Sequence, residues 1–246
     1  MIIFRVTVLC GAVTLMWVGV LPARAARPAI DEDNVGLNIR QSEPVGFPNG
    51  VLLQGIHSGK VRIVVSVDAE GRLVDHLVVA YTNAAFVKPV VEALKTWTYE
   101  PAKVHGRARA SRVDLSFVFK SDLVVTVMNS DVSFLREIFG DQNEFQPSLL
   151  RDLDHIPTPV HVVTPPIPDE VLTPGEERVV TVEFYIDQEG KVRVPAVSRE
   201  DADDRLAAAA VAAVEQWRFE PPLRRKQPVL VLAQQDFRFV AKPKTD

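Results

Sequence analysis

Trp97-Thr98-Tyr99-Glu100-Pro101 returns 120 residues later as Trp217-Arg218-Phe219-Glu220-Pro221, and the reading of this pair decides the fold. In each copy a tryptophan closes an apolar run of helical period, a second aromatic follows two positions on, and Glu-Pro takes the backbone out of helix. Working back from Trp97, the residues Leu94, Ala93, Val90 and Phe86 fall on one helix face. Working back from Trp217, the residues Val214, Ala213, Ala210 and Leu206 repeat that face position by position. Asn83 and Asp203 stand where a helix N-cap is needed, and Pro89 predicts that regular helix in the first copy starts as late as Val87. A shared motif behind a shared helix means two copies of one folding unit.

The rest of the unit follows the same duplication. Val61, Ile63, Val65 and Val67 alternate along a strand that ends at the turn Asp68-Ala69-Glu70-Gly71, and Arg72 to Val79 reads as the returning strand. Val180, Val182, Phe184 and Ile186, with Asp187-Gln188-Glu189-Gly190, repeat this. Past the motif, Lys103 to Gly106 reads as a polar loop. Val113, Leu115, Phe117 and Phe119 then form a last strand, matched by Phe237 and Phe239. Ahead of the hairpins, Pro48 to Gly55 matches Pro168 to Gly175, and a short turn of helix fits between Asn49 and Gln54. The expected class is α+β: two tandem small domains, each a three-stranded antiparallel sheet in the order β-β-α-β with a short leading helix, packed by helices on one face.

Between the copies, Leu123 to Met128 is a β-rich run separated from the first copy's last strand by Lys120-Ser121-Asp122, which predicts a fourth strand hairpinned onto the third. A short helix is expected over Asp131 to Phe139, capped by Ser130 and stopped by Gly140. The prolines from Pro147 to Pro166 then mark an extended segment. The expected division is 1–25 signal peptide, 26–43 leader, 44–128 first domain, 129–164 linker with a short helix, and 165–242 second domain.

Residues 1–25 carry Arg5, an uncharged run from Val6 to Leu21 and then Ala23-Arg24-Ala25, the pattern of a cleaved export signal. An uncleaved signal acting as an inner-membrane anchor is the alternative. Cys10 is the only cysteine and lies inside this run, so the exported part is held by its cores rather than by disulfides. Without Arg5 and Arg24, 26 basic side chains face 32 acidic ones, which argues against a nucleic-acid partner. Arg224-Arg225-Lys226 reads as a solvated loop.

No constellation for chemistry emerges. The five histidines, His57, His76, His105, His155 and His161, lack metal-ligand spacing, and Asp152-Leu153-Asp154-His155 is only the nearest approach to a cluster. Glu200-Asp201-Ala202-Asp203-Asp204 lacks the ligand alternation of a calcium loop and suits helix capping. Glu100 and Glu220 recur because the scaffold recurs. The expectation is no catalytic residue, no metal, no cofactor, no small-molecule substrate and no enzyme activity. Trp97, Pro101, Trp217 and Pro221 read as structural anchors.

Gly59-Lys60-Val61, then Val67 to Leu73, then Trp97 to Ala102 resemble the C-terminal domain of the TonB family. The second copy resembles it at Ala212-Ala213-Val214-Glu215-Gln216-Trp217-Arg218-Phe219-Glu220-Pro221. The resemblance implies two tandem TonB C-terminal domains in the periplasm, binding protein, with an outer-membrane receptor segment added as a strand to a sheet edge. It also implies energy-transducer-like transport across the membrane. The residues between Ala26 and Pro44, however, reach at most ~70 Å when extended, too short for the long spacer of a force transducer. With the first copy's edge filled by Leu123 to Met128, the binding edge is expected on the second copy, at Val229, Val231, Ala233, Gln235, Phe237 and Phe239. The alternative is an envelope structural or assembly protein in which the domains self-associate, as in a homodimer.

Overall fold

The computed structural model describes residues 35–121, 123–128, 144–169, 171–198 and 203–241. The expected signal peptide and the helix expected at Asp131 to Phe139 lie outside these residues. The fold is α+β, rich in strands, with two sheet-centred halves that carry the tandem copies.

In the first copy, strand β1 spans Asn38–Gln41, helix α1 Asn49–Leu52, β2 Ser58–Val67 and β3 Leu73–Tyr81. A 3-10 turn at Ala84–Phe86 runs into helix α2, Val87–Leu94, so Pro89 sits in the first turn of the α-helix where its missing N–H costs nothing. The Asn83 side chain accepts from the Ala85 N–H at 2.9 Å. Then come β4 (Thr98–Glu100), β5 (Ala102–Val104), β6 (Arg107–Arg109), β7 (Ser111–Lys120) and β8 (Leu123–Met128). The main sheet runs β3-β2-β7-β8, all neighbours antiparallel, with Leu123–Met128 placed as its fourth strand.

The second copy holds β9 (Pro159–His161), β10 (Glu177–Ile186), β11 (Val192–Val197), helix α3 (Asp204–Val214), β12 (Arg218–Phe219), β13 (Leu223–Arg224), β14 (Gln227–Pro228) and β15 (Val231–Val240). Its sheet runs β11-β10-β15. The Asp203 carboxylate caps α3 by accepting from the N–H groups of Arg205 and Leu206.

Three expectations are corrected. The leader and the linker are not mere connections, because each contains a strand of its neighbouring copy: β1 pairs with β4, and β9 with β12. The registers coincide after a shift of 120 residues, Ile39 opposite Tyr99 and Pro159 opposite Phe219. Second, among the described residues the leading helix forms in the first copy and not in the second. Asp169, Val171 and Leu172 adopt turn and bend instead, although Val171 and Leu172 still pack on the core as Val51 does in the first copy. Third, the polar loops after the motifs are two-residue hairpins, β5-β6 and β13-β14. His105 and Gly106, and likewise Arg225 and Lys226, have positive φ, the backbone of a turn that matches strand twist.

Each sheet buries one face beneath its helix. Val61, Ile63, Val65, Phe86, Val90, Leu94, Trp97, Phe117 and Phe119 form the first core, and Val180, Val182, Phe184, Leu206, Val214, Trp217, Phe237 and Phe239 the second. The opposite faces meet. Val64, Leu77 and Val79 of the first sheet pack with Tyr185 and Val194 of the second, and with Leu230 just ahead of β15, in a third apolar cluster, with Phe145 against it. Around it Arg193 grips the Asp75 carboxylate with Nε at 2.9 Å and Nη2 at 2.6 Å, and Arg112 pairs with Glu183. A bulge in β11 puts the buried Val194 at φ 42°, a costly conformation for a β-branched residue, and directs its carbonyl to Arg112 at 3.2 Å.

Candidate partner-binding edge

The recurring motif is the joint of each unit. The Trp97 indole N–H donates to the Glu43 carbonyl at 3.1 Å, and that of Trp217 to the Val163 carbonyl at 2.8 Å, so each ring ties the segment just after its leading strand to the core. Each ring also lies 5.6 Å from a phenylalanine of the last long strand, Phe117 or Phe237. The turn glycines fit beneath the motif. A Cβ on Gly71 would stand 2.5 Å from the Tyr99 carbonyl oxygen, and one on Gly190 2.0 Å from that of Phe219. Glu100 and Glu220 serve through their backbone, Glu100 opposite Asn38 and the Glu220 N–H on the Thr158 carbonyl. Pro101 is half-buried and Pro221 exposed.

Asp154, in the nearest approach to a cluster, has a structural role. Asp154 accepts from the N–H groups of Lys226 at 2.7 Å and Arg225 at 2.8 Å. It thereby caps the tip of the β13-β14 hairpin, and the two bonds hold its carboxyl below its ordinary range. The basic run is therefore a hairpin turn over a carboxylate. His155 approaches Glu220 at 3.7 Å on the surface. Among the described residues no group of three ligating side chains could hold a metal, and no helix is long and apolar enough to cross a membrane.

The two last strands differ at their outer edges. In the first copy β7 lies between β2 and β8. In the second, β15 has β10 on one side and, among the described residues, no strand on the other. The residues expected to make the edge divide by this geometry. Val229 precedes the strand and donates its N–H to the Pro222 carbonyl. Val231 is buried, Phe237 and Phe239 are buried in the second core, and Ala233 and Gln235 are half-buried on the same side of the strand. The strand is placed at an edge, but these side chains face inward.

The ladder shows which backbone groups the edge presents. Ala241 donates to the Glu176 carbonyl in the register that pairs Val240 with Glu177. In an antiparallel ladder the bonded positions alternate, so the odd-numbered residues turn their N–H and C=O to β10. Leu232, Gln234, Asp236, Arg238 and Val240 turn theirs away from it. The Leu230 carbonyl shows the same outward sense by accepting from the Ser148 N–H at 2.8 Å. Those five outward residues are also the exposed ones of β15. Asp236 accepts from the Thr181 hydroxyl at 2.7 Å, Arg238 pairs with Glu177 at 3.2 Å, and the Gln235 amide donates to the Asp236 carbonyl at 2.8 Å.

A comparison with curated proteins finds no match. The family model of the Gram-negative bacterial TonB protein C-terminal region matches the chain twice, over residues 46–121 and 164–241. Both matched segments run from the approach to the hairpin to the end of the last long strand, β7 or β15. Together they cover well over half of the chain, so this protein belongs to the TonB C-terminal family and carries its domain in two tandem copies.

Proposed function

We propose that the protein is a periplasmic adaptor of TonB-dependent transport that captures an extended segment of an outer-membrane receptor as a strand added to β15. The observation that carries this reading is the difference between the copies: the outer edge of the last long strand is filled by β8 in the first, whereas in the second no described strand lies on it and a single bridge of Ser148 to Val231 touches its start. A row of outward N–H and C=O groups is a template for a further strand, and main-chain bonds supply affinity without demanding one side-chain sequence. The family's association with envelope energy transduction supports a protein partner and an envelope location.

Gln234→Pro tests it. The Gln234 N–H points away from β10, so proline there removes a donor from the free edge and none from the existing ladder. Wild-type chain used as bait in an extract of periplasm and outer membrane is expected to recover a β-barrel receptor, and the variant, folded by circular dichroism, to lose it. Equal recovery by both would contradict the proposal.

Self-association is the second reading, and one observation favours it. Two copies of β15 paired antiparallel about Phe237 would set Asp236 opposite Arg238 twice. Sedimentation that changes with concentration in the wild type and not in Gln234→Pro is its signature.

A further inference from the structure

We infer that the segment taken up by β15 lies antiparallel to it and carries, from its N-terminal end, the pattern apolar, apolar, acidic, threonine or valine, basic, polar. This rests on the strand-addition reading above and adds the direction and the side chains of the occupant.

The first copy contains the template. β8 runs antiparallel on β7 with Leu123 opposite Lys120, Val124 opposite Phe119, Val125 opposite Val118, Thr126 opposite Phe117, Val127 opposite Ser116 and Met128 opposite Leu115. Val124 and Met128 pack against the first core, so the inward side chains of the added strand extend the apolar layer beneath the helix. Shifted by 120 residues, β7 becomes β15: Phe119 and Phe117 correspond to Phe239 and Phe237, which hold the same places in the second core. An occupant in the register of β8 thus sets an apolar residue opposite Phe239 and a threonine or valine opposite Phe237.

The remaining positions differ in ways that rewrite the occupant. Gln235 stands for Leu115, so the inward residue that was Met128 becomes a side chain able to bond an amide. On the outer face Asp236 stands for Ser116 and Arg238 for Val118. Ser116 and Val118 are buried, whereas Asp236 and Arg238 are exposed. Residues directly opposite across a ladder interact, favourably for opposite charges and unfavourably for like ones. The occupant's residue opposite Arg238 is therefore acidic and the one opposite Asp236 basic. Val240 in place of Lys120 keeps the first position apolar.

The test uses the full chain, labelled for amide NMR, and the end-blocked peptide Leu-Val-Glu-Thr-Lys-Gln with a nitroxide on its N-terminal side. Shifts confined to β15 and its neighbours are expected, with Phe239 and Val240 broadened more than Leu232. The peptide with its charges exchanged, Leu-Val-Lys-Thr-Glu-Gln, is expected to bind about tenfold more weakly. The double variant Asp236→Arg, Arg238→Asp is expected to reverse that preference. Broadening centred on Leu232 would show a parallel strand and overturn the inference while leaving strand addition intact. Equal affinity for both peptides, or no binding of the first, would overturn the recognition pattern. The reading of β15 as a capturing edge stands or falls separately, on receptor recovery by Gln234→Pro.

Discussion

At the scale of single residues, the two copies make each other's controls. Tyr99 and Phe219 occupy one position in the repeated motif, yet the buried Tyr99 hydroxyl has no hydrogen-bond partner among the described residues, and burial pushes its phenol pKa up to about 12. A buried polar atom left unpaired costs more than the matching apolar group. Tyr99→Phe, which copies the second unit, is expected to leave stability unchanged or raise it by up to ~1 kcal/mol, read from the urea midpoint. A loss of that size would show that the hydroxyl has a partner. The tryptophans teach the same lesson in another way. Their place at the end of an apolar helix face was legible from spacing. Their hydrogen bonds to Glu43 and Val163 were not, because nothing in a tryptophan's sequence neighbours says which distant carbonyl its N–H will meet.

At the scale of elements, legibility followed period. β2, β10, α2 and α3 carry long apolar patterns, and the sequence placed them together with the caps Asn83 and Asp203. β1 and β9 are too short for a period, and Pro159 and its proline-rich flanks argue for loop. They become strands only because β4 and β12 lie alongside. The edge itself was half legible. Alternation along β15 separates inward from outward side chains, but which backbone groups point away from β10 depends on the pairing register, which no single strand encodes. The approach to β10 carries a pH prediction. The Glu176 carboxylate accepts from the Thr173 N–H, the Thr173 hydroxyl and Arg178, which hold its pKa at about 2 against an ordinary 4.5. A depressed carboxyl stabilises the folded state above its unfolded pKa, and this contribution fades as pH falls from about 4.5 toward 2. Glu176→Gln is expected to be less stable than wild type at pH 7 and to converge with it by pH 2, in urea midpoints measured across that range. A constant difference would contradict the assignment.

At the scale of the molecule, the duplication has produced one body with two unlike margins. The sheets share an apolar seam bordered by Arg193–Asp75 and Arg112–Glu183, pairs less than about a third exposed. Val64 gave little sign of this seam, since a valine inside the run Ile63-Val64-Val65 reads equally as core or surface of a strand. Asp75→Ala removes the two short bonds that Arg193 makes to a carboxylate, leaves the half-buried guanidinium with only the Asp187 carboxylate at 3.8 Å, and is expected to cost about 1–3 kcal/mol. A coupled pair of copies also predicts one calorimetric transition in the wild type. The margins carry the functional claim, because β8 closes the first sheet and β15 ends the second. Residue-resolved amide exchange on the full chain compares them directly. Slow exchange is expected throughout Leu115 to Phe119, where β8 pairs, and along β15, beyond the single bridge of Val231 to Ser148, an alternation in which Gln234, Asp236, Arg238 and Val240 exchange fast while Ala233, Gln235, Phe237 and Phe239 exchange slowly. Uniform protection along β15 would mean that its outer edge is already paired, and would contradict the account.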